Sequence, residues 1–456
     1  MMTTPDPDPS GLHSSRNAGT ALLTPPEPEE EPATAPAIPP GRRRGLSVQT
    51  FSALSNPNFR LLYCGNMLQF GAMQMQMLVR GVLVYDLTGS FAALGMVSLA
   101  NAIPGLIFSL LGGVVADRAP KKTVIQTAQV INMVNAAVLS SLAGFGVLRF
   151  EHLLASAVMI GAVNAIMMPS RQSIIPDLVG REKLMNAVAL NTSAQNLMQL
   201  IGPGIGGAML AFASPAAVFG VNSALYFGAV TFTFRLPKKP LYSYGEQNAR
   251  AGVVKKKAGG LRDIVEGLKY VGHDKTIRTL IAVNFLIVTV SMPYSMMLPG
   301  FVKDVLHEGS SQQGILMSIS GVGAMVGSLF VASSSGMGRG KLFMTYATLL
   351  GFALIAFSLS TNFLVTMPIM LLIGAGTAGR MSLGQVLIQS YSANEYRGRV
   401  MAVRMMQFNL VAFGTFGAGM LAEWVGPQLA IGGMACWLVI AMALVAVFIP
   451  SFRKMD

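Results

Sequence analysis

The stretch Gly113-Val114-Val115-Ala116-Asp117-Arg118-Ala119-Pro120-Lys121-Lys122 lies between two long apolar runs, near 91–116 and 123–148. A helix needs about 20 apolar residues to cross the bilayer core, and each run is long enough. The turn between them has a defined chemistry. Gly113 permits close helix approach. Asp117, at a helix end, can pair with a basic group or cap a neighbouring helix. The basic residues hold the loop at the membrane surface. An ordinary basic loop needs only the last of these features.

Composition extends this reading to the whole chain. Hydrophobic residues make up 52% of the 456 and charged residues 12%; mean hydropathy is +0.54. A water-facing surface needs roughly a quarter of its residues charged, so most of this surface must face lipid. Spans are predicted near 61–85, 91–116, 123–148, 153–175, 184–212 and 215–234. Six more follow near 279–302, 312–333, 342–360, 364–390, 400–422 and 427–450. The expected fold is an all-α membrane protein of about twelve transmembrane helices. Residues 1–50 are rich in Pro, Ser, Thr and Glu, lack apolar residues to bury and are expected to be a disordered cytoplasmic tail. The expected organisation is that tail, a six-helix half over 51–234, a cytoplasmic linker over 235–276 and a second six-helix half over 277–456.

The net charge of +13 is concentrated in short clusters between apolar runs. One set of loops carries Arg118, Lys121, Lys122, Arg181, Lys183, the basic linker, Arg339, Lys341, Arg397 and Arg399. The opposite set has little beyond Arg149 and Lys303. Lys/Arg enrichment marks the cytoplasmic side, which puts both termini inside a bacterial inner membrane. The run Lys255-Lys256-Lys257 has no interleaved aromatic residues, so no nucleic-acid partner is expected. Cys64 and Cys436 fall in apolar runs, and no Cys/His cluster has metal-ligand spacing. A Gly-x-x-x-x-Gly-Lys-Ser/Thr loop is absent, as is any nucleophile, base and metal set. Neither an enzyme nor a cofactor is expected.

The two halves resemble each other. Gln172-Ser173-Ile174-Ile175, then Arg181-Glu182-Lys183-Leu184-Met185, then Gly202 to Gly207 follow the fourth span. Gln385-Val386-Leu387-Ile388, then Arg397-Gly398-Arg399-Val400-Met401, then Gly414 to Gly419 follow the tenth. Two six-helix pseudo-repeats are a duplicated transporter layout, whose substrate path lies between the halves. Within it, Asn66, Gln69, Met73, Gln76 and Arg80 fall on one side of span one. Asn191, Gln195 and Gln199 recur at four-residue steps in span five. Polar groups do not face lipid unsatisfied, so these stripes point inward, either as a cavity wall or as interhelical hydrogen bonds. Arg80 and Arg380 are the basic residues expected within the membrane, each costing about 2.5–3.5 kcal/mol at mid-depth. Arg80 lies close enough to the outer end to snorkel; Arg380 lies deeper. The candidate substrate-cavity set is Gln69, Gln76, Arg80, Asn191, Gln195, Gln199 and Arg380. Gly202, Pro203, Gly206 and Gly207 are candidates for close helix packing. No acid lies mid-span; Asp86 and Glu423 are near outer ends.

Gly113, Asp117, Arg118 and Lys122 match the signature loop of the major facilitator superfamily, with Lys121 and Pro120 as departures. Asn56-Pro57-Asn58-Phe59-Arg60, Val84-Tyr85-Asp86-Leu87-Thr88-Gly89-Ser90 and Arg397-Gly398-Arg399-Val400 resemble its macrolide-efflux and enterobactin-exporter branch. The resemblance covers nearly the whole chain beyond residue 50. It implies rocker-switch alternating access and a cytoplasmic gate of Gly113, Asp117, Arg118, Lys121 and Lys122, with Arg397 and Arg399 from the second half. In the second copy of the loop Gly327, Arg339 and Lys341 remain, but Val331 replaces the acid. Gly-Pro-x-x-Gly-Gly in span five is associated in the family with exporters. The expected function is therefore export of small amphipathic molecules, drugs or siderophores among them. An importer or lysophospholipid flippase on the same fold, and a non-transporting scaffold or receptor, are the alternatives. The expected partners are a small-molecule substrate, a coupled proton and membrane lipid, and the expected unit is the monomer.

Overall fold

Asn56 begins the first long helix by accepting hydrogen bonds from the Asn58 and Phe59 amides, with Pro57 in the first helical position, where its missing N–H costs nothing. Ser90, Ser214, Asp274 and Asn362 cap other helices in the same way. The computed structural model describes residues 51–237, 241–242, 261–334, 338–393, 396–449, 452 and 455. Only the backbone is described at 110, 111, 113, 114, 116–118, 181, 261–264, 402, 405 and 408. The expected tail over 1–50 and most of the expected linker lie outside the described residues.

The first six long helices are α1 (Pro57–Thr88), α2 (Phe91–Arg118), α3 (Lys121–Gly144), α4 (Phe150–Leu178), α5 (Arg181–Phe212) and α6 (Pro215–Phe234). A shorter α7 (Leu261–His273) follows. Then come α8 (Lys275–Ser291), α9 (Pro293–Asp304), α10 (Ser310–Ser333), α11 (Arg339–Leu359), α12 (Phe363–Tyr391), α13 (Arg397–Val425) and α14 (Pro427–Phe448). Two features differ from the sequence expectation. The seventh span is broken into α8 and α9 at Pro293, which has no amide to donate and cannot continue the hydrogen-bond ladder. The polar linker contains a helix, α7. By length and composition α2, α4, α6, the α8–α9 pair, α10, α11, α12 and α14 can each cross a membrane. The remaining four, α1, α3, α5 and α13, combine spanning length with polar faces.

Small residues set the packing, and they set it twice. In the first half Gly161 of α4 lies against the Asn101 backbone of α2, and Gly112 of α2 against Ala165 of α4. In the second, Gly374 of α12 lies against Ser320 of α10, and Gly323 of α10 against Leu371 of α12. A side chain at any of the four would meet backbone, so each pair is held at glycine distance. The close packing thus repeats in the two six-helix halves of the chain. Ala53, Phe59, Leu62, Ile125 and Ile175 belong to an apolar core confined to the first half. Ile277, Phe343, Leu387 and Val400 belong to one confined to the second. Both lie near the end of the bundle where α1 begins and α6 meets the linker, termed here the linker end. A third core joins the halves at the far end, through Tyr85, Phe91, Leu298, Phe301 and Ala418.

Candidate functional site

Three helices of each half converge on a buried arginine. Arg171 of α4 donates from Nε to Asn66 Oδ1 of α1 at 3.1 Å, and Asn66 Nδ2 donates to Asn191 Oδ1 of α5 at 2.8 Å. The Arg171 guanidinium also lies 3.7 Å from the Phe70 ring centroid. In the second half Arg380 Nη1 of α12 donates to Asn284 Oδ1 of α8 at 3.2 Å. Asn284 Nδ2 donates to Gln407 Oε1 of α13 at 3.1 Å. Gln407 Nε2 then donates to the Ile281 carbonyl. Asn66 and Asn284 are each the tenth residue of their helices, and Asn191 and Gln407 each the eleventh. Both arginines are almost fully buried. The hydrogen bonds, worth about 1.5–3 kcal/mol where a charge is involved, offset part of the burial cost. They also tie α1, α4 and α5 into one body and α8, α12 and α13 into another. Sequence reasoning missed Arg171, Asn284 and Gln407. A signal existed, since matching positions counted from helix starts reveal the Asn pair.

The two bodies meet through a seam at the far end. The Tyr85 hydroxyl donates to the Asp304 carboxylate, and Lys303 pairs with Asp86 at 2.5 Å. Glu423 of α13 caps α2 in the other half: its Oε2 accepts from the Phe91 amide at 2.9 Å, the Ala92 amide at 3.3 Å and the Ser90 hydroxyl at 3.1 Å. Glycines close the seam. A Cβ on Gly314 of α10 would lie 2.8 Å from the Pro203 carbonyl of α5, and one on Gly95 of α2 would lie 2.8 Å from the Phe416 Cα of α13. Among the described residues, the side-chain hydrogen bonds joining the halves all lie at this end.

Helix α5 has three working faces. Asn191, Met198, Gly202 and Gly206 turn toward α1, while Leu200, Pro203, Gly204 and Gly207 turn toward α10. Thr192, Asn196 and Gln199 fall between these faces and are exposed. Leu197, Ile201 and Ile205 lie on the opposite side of the helix. The polar strip therefore fronts a cleft between the halves and the apolar strip fronts lipid. Gln199 is exposed and Gln195 half-buried.

The other candidates lie as follows. Gln69 is buried and bonded to Met167 and Gln129, and Gln76 is buried against Tyr226. Arg80 is partly buried. Gly202 and Gly206 pack on α1, and Pro203 and Gly207 on α10. At the linker end, Lys121 pairs with Asp177 at 2.7 Å, and Lys122 donates to the Phe234 and Leu236 carbonyls. Both contacts stay within the first half. Arg397 donates to the Gln389 carbonyl, and Arg399 pairs with Glu266 of α7 at 3.0 Å. Tyr270 of α7 stacks on Tyr396 with centroids 4.4 Å apart. Helix α7 is thereby docked on the start of α13. The Gly113, Asp117 and Arg118 positions close α2 at the linker end, and their side chains lie outside the described residues.

Over residues 48–456 the sequence matches the transmembrane secretion effectors of the major facilitator superfamily, and the chain belongs to that family. It is a multi-pass membrane transporter with a small-molecule substrate. Similar proteins include the multidrug efflux pump Tap of Mycolicibacterium fortuitum, 25% identical over 82% of this chain and 91% of the pump. The staphyloferrin A transporter of Staphylococcus aureus is 23% identical over 73% of this chain and 81% of that protein. Among solved structures, an inward-facing, occupied bacterial homologue of the human lysosomal transporter Spinster aligns with a TM-score of 0.69. That alignment has 14% identity and covers 87% of this chain and 97% of the other. The nucleoside transporter NupG aligns at 0.66 with 18% identity, over 86% of this chain and 98% of its own. These two share the fold.

Proposed function

We propose that this transporter is a secondary active exporter of small amphipathic molecules, drugs or siderophores, working by alternating access in a bacterial inner membrane. The observation that carries the reading is the one-sided seam. The described bonds between halves gather at the far end, while Thr192, Asn196 and Gln199 stand exposed in the cleft. The kinship with a multidrug efflux pump supports the direction. In this reading both termini and the linker are cytoplasmic, and the structure is the inward-open state, ready to load. Gln195 and Gln199 line the path. Gln69, Gln76, Arg80, Asn191 and Arg380 back its wall. Asp117 and Arg118, with Lys121, Lys122, Arg397 and Arg399, form the cytoplasmic gate of the opposite state. A proton is the proposed coupling ion, and the monomer in lipid the working unit.

The test is accumulation of fluorescent amphipathic dyes in cells lacking their own pumps. Expression of the chain should lower accumulation, and Asp117→Asn should abolish that effect at equal membrane abundance. Raised accumulation would establish an importer. No change with any dye or siderophore would defeat the transport assignment to this substrate class.

A further inference from the structure

Between α1, α3 and α6 the first half buries polar side chains whose hydrogen bonding is unfinished. The Tyr226 hydroxyl meets Gln76 Oε1 at 3.4 Å. Helices α1 and α6 run antiparallel, with Gly65 facing Ala229, Leu68 facing Gly228 and Ala72 packing with Tyr226. The same register brings Asn222 level with Gln76. Helix α3 reaches this level where Ser223 donates to the Met133 carbonyl, and Asn132 is its neighbour. Arg80 and Arg171 both lie close enough to Tyr226 to interact with it electrostatically. Gln76, Asn132 and Asn222 are 4%, 3% and 0% exposed.

Among the described residues, Arg80 Nη1, Arg171 Nη1 and Nη2, Gln76 Nε2 and Asn222 Nδ2 have no acceptor. The Oδ1 atoms of Asn132 and Asn222 have no donor. Donors predominate, and two are guanidinium groups. The described carboxylates of α1, α4 and α5 lie at helix ends: Asp86, Glu151, Asp177 and Glu182. Buried charge of this kind demands a partner.

The fold itself does not require these polar groups. Counted from the starts of α8, α11 and α14, the second-half counterparts of Gln76, Arg80, Asn132, Asn222 and Tyr226 are Tyr294, Leu298, Leu350, Met434 and Leu438. Leu298, Leu350 and Leu438 are fully buried core residues there. The same architecture is thus filled by a nearly apolar set in one half and by five polar side chains in the other.

We infer that the α1–α3–α6 cluster binds a small monovalent anion of the halide class. The anion accepts from the Arg80, Gln76 and Asn222 donors, with the positive charge of Arg171 near by, while the Asn132 and Asn222 oxygens are left to water. A halide is a pure acceptor and is small enough for side-chain spacing in a helical bundle. The site lies behind the cleft wall, between α1, α3 and α6, and does not depend on the direction of transport.

The full-length protein in detergent tests this at constant ionic strength, with chloride or bromide exchanged for gluconate. Halide should raise the melting temperature saturably, on the order of 2–4 °C at tenfold excess over Kd. Asn222→Met and Arg80→Met, which introduce the kind of apolar filling found in the second half, should melt cooperatively and lose the halide response. Equal melting temperatures of the wild-type protein in halide and gluconate would overturn the inference, leaving water alone as the partner. A halide response that survives in both variants would also overturn it. Should Arg80→Met fail to fold, Asn222→Met carries the same decision.

Discussion

Replacing Glu423 should bias the transporter toward opening at its far end. The Glu423 carboxylate accepts three hydrogen bonds from the start of α2, across the seam between halves. It is solvent-exposed, so values for capping residues apply rather than those for buried pairs. A helix cap is worth about 0.5–2 kcal/mol, and a negative charge at a helix N-terminus about 0.3–1 kcal/mol more. Glutamine keeps an acceptor and loses the charge, for an expected loss of about 1 kcal/mol; alanine loses the whole interaction, about 2 kcal/mol. The contact exists only while the far end is closed, so the loss falls on one conformer alone. The population ratio should shift roughly fivefold for Glu423→Gln and thirtyfold for Glu423→Ala. The reporter is Ala418→Cys, which is 4% exposed in the seam, in a background with Cys64 and Cys436 replaced by serine. Labelling by an impermeant maleimide from the far side should rise in the order wild type, glutamine, alanine. Labelling of a Thr192→Cys reporter in the cleft should fall in parallel. Unchanged rates in both variants would refute the role of this carboxylate as a latch.

Two further outcomes follow from the geometry. Asn284→Ala leaves Arg380 Nη1 and Gln407 Oε1 without their bonds; it should cost about 1–3 kcal/mol, read as a lower melting temperature of the purified protein. Gly314→Leu places a side chain against the Pro203 carbonyl and the Gly207 Cα. The protein should insert normally, label at Ala418→Cys from the far side without substrate, and fail to lower dye accumulation; a sealed far end would contradict the packing argument.

The architecture was readable because hydropathy and glycine spacing are local signals. The spans, the repeat and the polar character of α1 are all carried by neighbouring residues. The stripe of α1 was read as one face, but the structure divides it. Asn66 turns to α4 and α5, Gln69 to α3 and α4, and Gln76 to α6. A helix surrounded by other helices has no single interior side, so periodicity alone could not say which neighbour each amide meets. Arg171 lies within the span expected over 153–175, close to its end; α4 runs on to Leu178 and buries it. The seam was invisible for a different reason. Tyr85 and Asp304, or Ser90 and Glu423, are more than 200 residues apart in the chain, and nothing in either local sequence names its partner. Helix α7 is too short to span and so gives no hydropathy signal, although Leu261, Ile264, Val265, Leu268 and Val271 recur at helical spacing.

The break at Pro293 gives the far end of the bundle a door leaf of its own. Segment α9 carries Lys303 and Asp304 at its tip, and its hinge lies where the helical ladder is interrupted. Twelve residues make a lever of about 18 Å, so a swing of about 15° moves the tip by roughly 5 Å, enough to part both contacts with α1. The partner jamb, α1, is continuous from Pro57 to Thr88 and has no such joint. The two sides of the far end are thus unequal, one continuous post and one jointed leaf, in an otherwise duplicated molecule.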